Sequence, residues 1–82
     1  MKPSQKEIIF IQLLDEGTTV YRPTYGEVIT ENIFRVLPTE NYDPKDETWE
    51  FLPGMVVQCK MKKLTGGKDG LVAIAEYNVR DV

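Results

Sequence analysis

Apolar side chains recur every second residue in short runs, and glycine, proline, aspartate and asparagine separate the runs. Met55, Val57, Cys59 and Met61 alternate with Val56, Gln58, Lys60 and Lys62. That period predicts a strand with one buried face and one lysine-bearing solvent face. Ile8 to Leu14 is too short and too β-branched for a helix. It is apolar on both faces, which predicts a central strand. Asp15-Glu16-Gly17 predicts a turn, with Gly17 free to take positive φ. Thr18 to Arg22 resumes a strand that ends at Pro23, bulges there or lies at an edge, because proline has no N–H for the ladder.

Tyr25 to Ile29 continues extended past a bulge placed at Gly26. Glu31-Asn32 predicts a hairpin turn, since Asn tolerates the left-handed region, and Ile33 to Leu37 is the return strand. Pro38 to Thr48 is a polar, acidic loop, long for a compact domain and the first place to look for mobility or a partner contact. Trp49 to Leu52 predicts a short strand, and Pro53-Gly54 supplies the two central residues of a type II turn. Thr65 to Gly70 is a hairpin loop, and Leu71 to Val79 the last strand, with a loose C-terminal end. No segment carries a helical period; a capping-box pattern at Ser4 to Glu7 precedes residues that prefer strand. The expected fold is all-β, a small SH3-like or related partly open barrel of five to six mostly antiparallel strands.

Length changes the picture next. Eighty-two residues make one domain spanning 1–82, and a chain this short buries only ~60% of its unfolded surface. Small domains often add disulfides, metals or subunits. Cys59 is the single cysteine and there is no histidine, which removes an internal disulfide, the commonest transition-metal ligand and the usual neutral-pH general base. Self-association, as a homodimer or higher oligomer, is the expected supplement. A lone thiol suits a reducing cytosol. No secretory pattern opens the chain, and the longest apolar run, Leu71 to Ala75, falls far short of the ~20 residues a membrane helix needs. These features predict a cytoplasmic protein that does not engage a membrane.

Residues 1–54 carry five basic and ten acidic side chains, and residues 55–82 carry five basic and three acidic. The acidic majority argues against a nucleic-acid backbone as the main ligand. The alternative is a nucleic-acid-binding barrel using Lys60, Lys62, Lys63 and Lys68, with Tyr77 across from them on the last strand. Lysines on a solvent-facing strand also guard against aggregation, which is the plainer account.

Leu13-Leu14-Asp15-Glu16-Gly17-Thr18-Thr19-Val20-Tyr21-Arg22-Pro23 and Trp49-Glu50-Phe51-Leu52-Pro53-Gly54-Met55-Val56-Val57, running on to Cys59, resemble paired patterns in a group of small bacterial proteins. In most of those the aromatic before Arg-Pro is a tryptophan, where this chain has Tyr21. The resemblance implies a free-standing single domain and carries no activity. Tyr42 to Gly54 is similar to the acidic RT loop and diverging turn of SH3 domains. There the stretch opens the fold, whereas here it lies past the middle. The downstream tryptophan pair and Pro-x-x-Tyr corner of the SH3 peptide groove are absent. Proline-rich peptide binding is therefore not carried over.

The chemical candidates are few. Asp15 and Glu16, with Glu27, Glu31, Glu47 and Glu50, could in principle serve paired-carboxylate chemistry or a hard metal. Their spacing fits turn and surface positions instead. Gly66-Gly67-Lys68-Asp69-Gly70 lacks the spacing of a phosphate-cradling loop. Cys59 has no histidine to activate it and should face inward. Tyr21, Arg22 and Trp49 are residue types enriched at interface hot spots, and Arg22 can stack on an aromatic or pair bidentately with Asp15, Glu16 or Glu50; the competing account fills the core with Trp49 and Tyr21 and uses Arg22 to brace the turn. The expectation is a non-enzymatic binding module with no cofactor and no metal. It acts through protein contacts at Tyr21, Arg22 and Trp49 and at Tyr42, Asp43, Asp46 and Glu47 of the acidic loop.

Overall fold

In the computed structural model, which describes residues 5–64 and 66–78, six strands form one mixed sheet that closes on itself. They are β1 (Lys6–Leu14), β2 (Val20–Thr30), β3 (Ile33–Val36), β4 (Thr48–Trp49), β5 (Val56–Lys63) and β6 (Asp69–Glu76). β1 and β2 pair antiparallel from Lys6–Glu27 to Leu13–Val20 without a break. β2–β3, β3–β5 and β5–β6 continue antiparallel. The ring closes through one parallel register, Phe10 with Val72. β4 adds two residues, antiparallel to the end of β1. The expected all-β, mostly antiparallel, partly open barrel is the observed fold, and its open side is the short β1–β6 seam.

Strand alternation aims one face of each strand into the ring. Ile9, Ile11 and Leu13 of β1 meet Phe34 and Val36 of β3, Val57 and Cys59 of β5 and Ala73 of β6, with Trp49 and Phe51 closing the core. β1 is central, as its apolar run implies, with β2, β4 and β6 all paired to it. Its second apolar face is only partly covered by the fold: Ile8 and Leu14 are exposed and Phe10 is half-buried.

The turns follow local chemistry. Met55 N–H donates to the Leu52 carbonyl at 3.1 Å and Gly54 sits at φ +95°, the type II arrangement expected of Pro53-Gly54. Asn32 takes φ +64° in the β2–β3 hairpin. After β1, however, the left-handed residue is Asp15, at φ +62°, and not Gly17. Aspartate tolerates that region because its short side chain bonds locally.

β2 runs through Pro23. The missing N–H is tolerated because β3 pairs with β2 only from Gly26 onward, so Pro23 lies on an open edge. The β2 bulge falls between Val28 and Thr30, not at Gly26. A second register shift, between Gln58 and Cys59 of β5, leaves Ile74 of β6 unpaired. The strand expected over Trp49 to Leu52 shortens to Thr48–Trp49: Glu50 N–H still donates to the Gln12 carbonyl, but Phe51 then turns into the core ahead of Pro53. β6 stops at Glu76. The expected continuation to Val79, the loose terminal residues, Ser4 and Thr65 lie outside the described residues.

Candidate functional site

The β2 alternation separates two residues that are adjacent in sequence. Arg22 stands beside Ile11 on the inner face, and Tyr21 beside Gln12 on the outer face. Arg22 therefore reaches the loop that crosses the barrel mouth, and Tyr21 does not. Arg22 forks onto Glu47, Nε to Oε1 at 3.2 Å and Nη2 to Oε2. The expected partners were Asp15, Glu16 or Glu50. Glu47 replaces them because the loop turns carry it over the inner edge of β2. Glu47 Oε1 also accepts the Trp49 indole N–H at 3.0 Å. Tyr42 packs edge-on against the Trp49 ring, with centroids 4.7 Å apart and planes at 69°.

Backbone bonds shape that loop. Tyr42 N–H donates to Thr39, and Asp46 and Glu47 N–H both donate to the Asp43 carbonyl. Asp43 Oδ1 accepts Lys45 N–H at 2.9 Å, a side-chain-closed turn. The Arg22 fork and the indole bond hold the Glu47 carboxyl below the usual carboxylate range, and the same pairing raises Arg22. Trp49 is 2% exposed, so its ring belongs to the core and offers no outer surface. Beside this network, Arg22, Glu40, Asp43, Asp46 and Glu47 line an open cleft of about 480 Å³. Its lining is strongly acidic, and its one guanidinium is already engaged.

A second surface lies on the outside of the β1–β2 ladder. Residues directly paired across a ladder share a face, so the pairs Ile8–Tyr25, Phe10–Pro23 and Gln12–Tyr21 all point outward. Five of those six side chains are apolar or aromatic, where an outward barrel face alternates to polar residues. Tyr25 is 55% exposed and Ile8 45%. Phe10 and Tyr21 continue this face into a groove of about 460 Å³ lined also by Val20, Leu64, Lys68 and Asp69. Gly70 lets Phe10 and Leu64 pack closely over β6. A Cβ there would come 2.6 Å from Leu64 Cδ1 and 2.7 Å from Phe10 Cε1.

Of the sequence-derived candidates, Arg22, Tyr42, Glu47 and Trp49 come together at the barrel mouth, with Asp43 and Asp46 on the adjoining cleft. Tyr21 alone is on the outer face. Ile8, Phe10, Pro23 and Tyr25 were not among those candidates. The signal for them was the two-faced apolarity of Ile8 to Leu14, which stood as evidence of a central strand only.

The remaining candidates fall elsewhere. Lys60 and Lys62 are exposed on β5 opposite Val72 and Gly70, and Lys63 is opposite Asp69. Tyr77 does not lie across from them: its N–H donates to Val56, at the other end of β5. Cys59 is buried, and burial pushes its thiol up to about 11. Among the described residues no group of three His, Cys, Asp or Glu is placed to hold a metal ion. Among the described residues no helix is long and apolar enough to cross a membrane. No family model, curated protein or solved structure matches the chain.

Proposed function

We propose that the protein is a non-enzymatic binding module of the cytoplasm that acts through protein contacts, and that its contact surface is the outward face of the β1–β2 ladder. One observation carries this: Ile8, Pro23 and Tyr25 are exposed, and Phe10 and Tyr21 half-buried, at outward positions of the barrel, and none of the five belongs to its central core. An apolar patch left partly open to solvent in this way marks an interaction site more often than a random surface does. Tyrosines supply contact area at low entropic cost and retain a hydroxyl for the rim.

The chemistry elsewhere agrees. Cys59 is a buried, protonated thiol at neutral pH, and Glu47, the carboxylate most tightly held, is engaged with Arg22 and Trp49. The acidic cleft at Asp43 and Asp46 is a second contact surface, one suited to a basic segment of a partner. The lysines of β5 lack a neighbouring aromatic at Tyr77, and a stacking platform for single-stranded nucleic acid needs aromatics interleaved with its cations.

The test is capture from a lysate of the native host on immobilised wild-type protein and on Tyr25→Glu. The proposal expects proteins retained by the wild type and lost with Tyr25→Glu. Identical retention on both would move the contact surface off this face.

A further inference from the structure

We propose that the free edge of β5 at Lys60 to Lys63 is a docking site for an extended segment of a partner protein, one that alternates acidic and apolar residues and joins the sheet as a further strand. This edge lies on the far side of β6 from β1, and its occupancy does not depend on the β1–β2 outer face.

The edge is open because β3 is short. β3 pairs with β5 from Arg35–Val56 to Ile33–Gln58, and Cys59 N–H donates to the Asn32 carbonyl at 2.8 Å. The β2–β3 hairpin ends there, while β5 runs on beside β6 as far as Lys63–Asp69. Lys60 to Lys63 are all exposed and are paired on one side only. Backbone groups along a strand point alternately to its two sides. Cys59 N–H points toward β3, and Leu64 N–H points into the β5–β6 hairpin, donating to the Lys68 carbonyl. The N–H and C=O of Met61 and Lys63 therefore point out of the sheet edge. A peptide backbone offers donors and acceptors in the same alternation, so strand addition satisfies both. A phosphate backbone offers acceptors alone, and Lys60 to Asp69 holds no aromatic on which bases would stack.

Side chains decide which segment fits. Lys60 and Lys62 stand opposite Val72 and Gly70, with no carboxylate across the ladder. Among the described residues only Arg22 and Arg35 form ion pairs, so these lysine charges are uncompensated. The stretch from Lys60 to Asp69 carries four lysines and one aspartate in a chain of net charge −3. Met61 shares the face of Cys59 but lies past the end of the core and is 58% exposed. Lys63, next along that face, already stands opposite Asp69. A strand laid beside β5 thus meets lysines on one face and a methionine on the other, and the complementary sequence alternates acidic with apolar residues. The same lysines repel the β5 edge of a second copy, which makes the open edge selective for negative charge.

Titration of the isotope-labelled full chain with a capped octapeptide alternating glutamate and valine tests the proposal. The expected result is saturable shifts centred on the Met61 and Lys63 amides, with slower hydrogen exchange at both. Lys60→Glu with Lys62→Glu weakens binding of this peptide by about tenfold or more and reverses the preference toward a lysine–valine octapeptide. Met61→Pro removes an edge donor while leaving the β6 ladder intact, and weakens binding too. Methylation of the peptide amides abolishes binding and requires no change in the protein. No shift at millimolar peptide overturns the proposal. Equal binding of an octapeptide with its glutamates and valines in two blocks also overturns it, leaving ionic adsorption only. Displacement of the peptide by a labelled oligothymidine overturns it in favour of nucleic acid. Dimers in sedimentation equilibrium that Met61→Pro abolishes overturn it in favour of a second copy. Capture through Tyr25 is read separately, so failure at this edge leaves the proposal for the β1–β2 face standing.

Discussion

At the scale of single residues, the decisive group is Glu47. One carboxylate holds Arg22 of β2 and the indole of Trp49, and so fastens the acidic loop to the core. The Arg22 side chain is 42% exposed, so the ion pair is screened by water and contributes at most about 1 kcal/mol. The buried indole N–H is a different matter, because leaving it unpaired costs about 1–3 kcal/mol. Glu47→Gln, which keeps an acceptor for the indole, should cost no more than about 1 kcal/mol in urea unfolding at neutral pH. Glu47→Ala should cost about 2–3 kcal/mol. The pH dependence has a definite sign. Glu47 titrates in the folded state below its ordinary value of 4.5, so its contribution is complete above that value and is lost as pH falls through the lower folded one. The wild-type advantage over Glu47→Gln should therefore shrink in acid; an advantage constant from pH 7 into that range would contradict the assignment. Two glycines make a second residue-scale comparison. Gly70→Ala forces a Cβ into Phe10 and Leu64 and should cost about 1–3 kcal/mol. Gly17 has open space around it and no positive φ. Gly17→Ala should be neutral or stabilising by about 0.4–1 kcal/mol in the same urea titrations.

At the scale of elements, the ring is unevenly fastened. β1–β2 is one long ladder and β5–β6 another, whereas β1 and β6 share only the Phe10–Val72 register. Local opening follows the weakest pairing. Amide hydrogen exchange should therefore show Ile9 to Leu13 among the slowest amides and Ile74 to Glu76, beyond the Ile74 irregularity, among the fastest of the strand amides. Equal protection across the seam would mean the barrel is closed more firmly than its pairing indicates. Most of this architecture was legible in the chain, because period-two alternation and turn chemistry act locally. Pro53-Gly54 and Glu31-Asn32 specify their turns wherever they occur. What was not legible depends on contacts between distant segments. Arg22 finds Glu47 only because the folded loop carries it across β2. The left-handed residue is Asp15 because the path from β1 to β2 places the sharp reversal there. Tyr77 and the β5 lysines separate because the β5–β6 hairpin register sets Lys60 opposite Val72, five residues before Tyr77. The outward apolar face was present in Ile8 to Leu14, but alternation cannot tell a face buried by the fold from one left for a partner.

At the scale of the whole molecule, the barrel spends its inward residues on a single core and leaves two distinct surfaces, an acidic cleft over the loop and an aromatic face on the ladder. With one buried cysteine and no histidine, neither a disulfide nor a histidine-bound metal supplements that core. Covering the aromatic face would remove apolar area from water at ~25 cal/mol per Å², the same force that folds the chain. The account thus joins stability and function at one place, the outside of β1 and β2. The most direct test is a series of nitrogen–proton correlation spectra of the labelled protein, wild type and Tyr25→Glu, recorded as unlabelled lysate of the native host is added. The account predicts that the amides broadened in the wild type and spared in Tyr25→Glu cluster in Ile8 to Gln12, in Tyr21 to Tyr25 and at Leu64, Lys68 and Asp69. Spectra unchanged by lysate, or changes confined to Thr39 to Glu47 or to the β5 lysines, would contradict it.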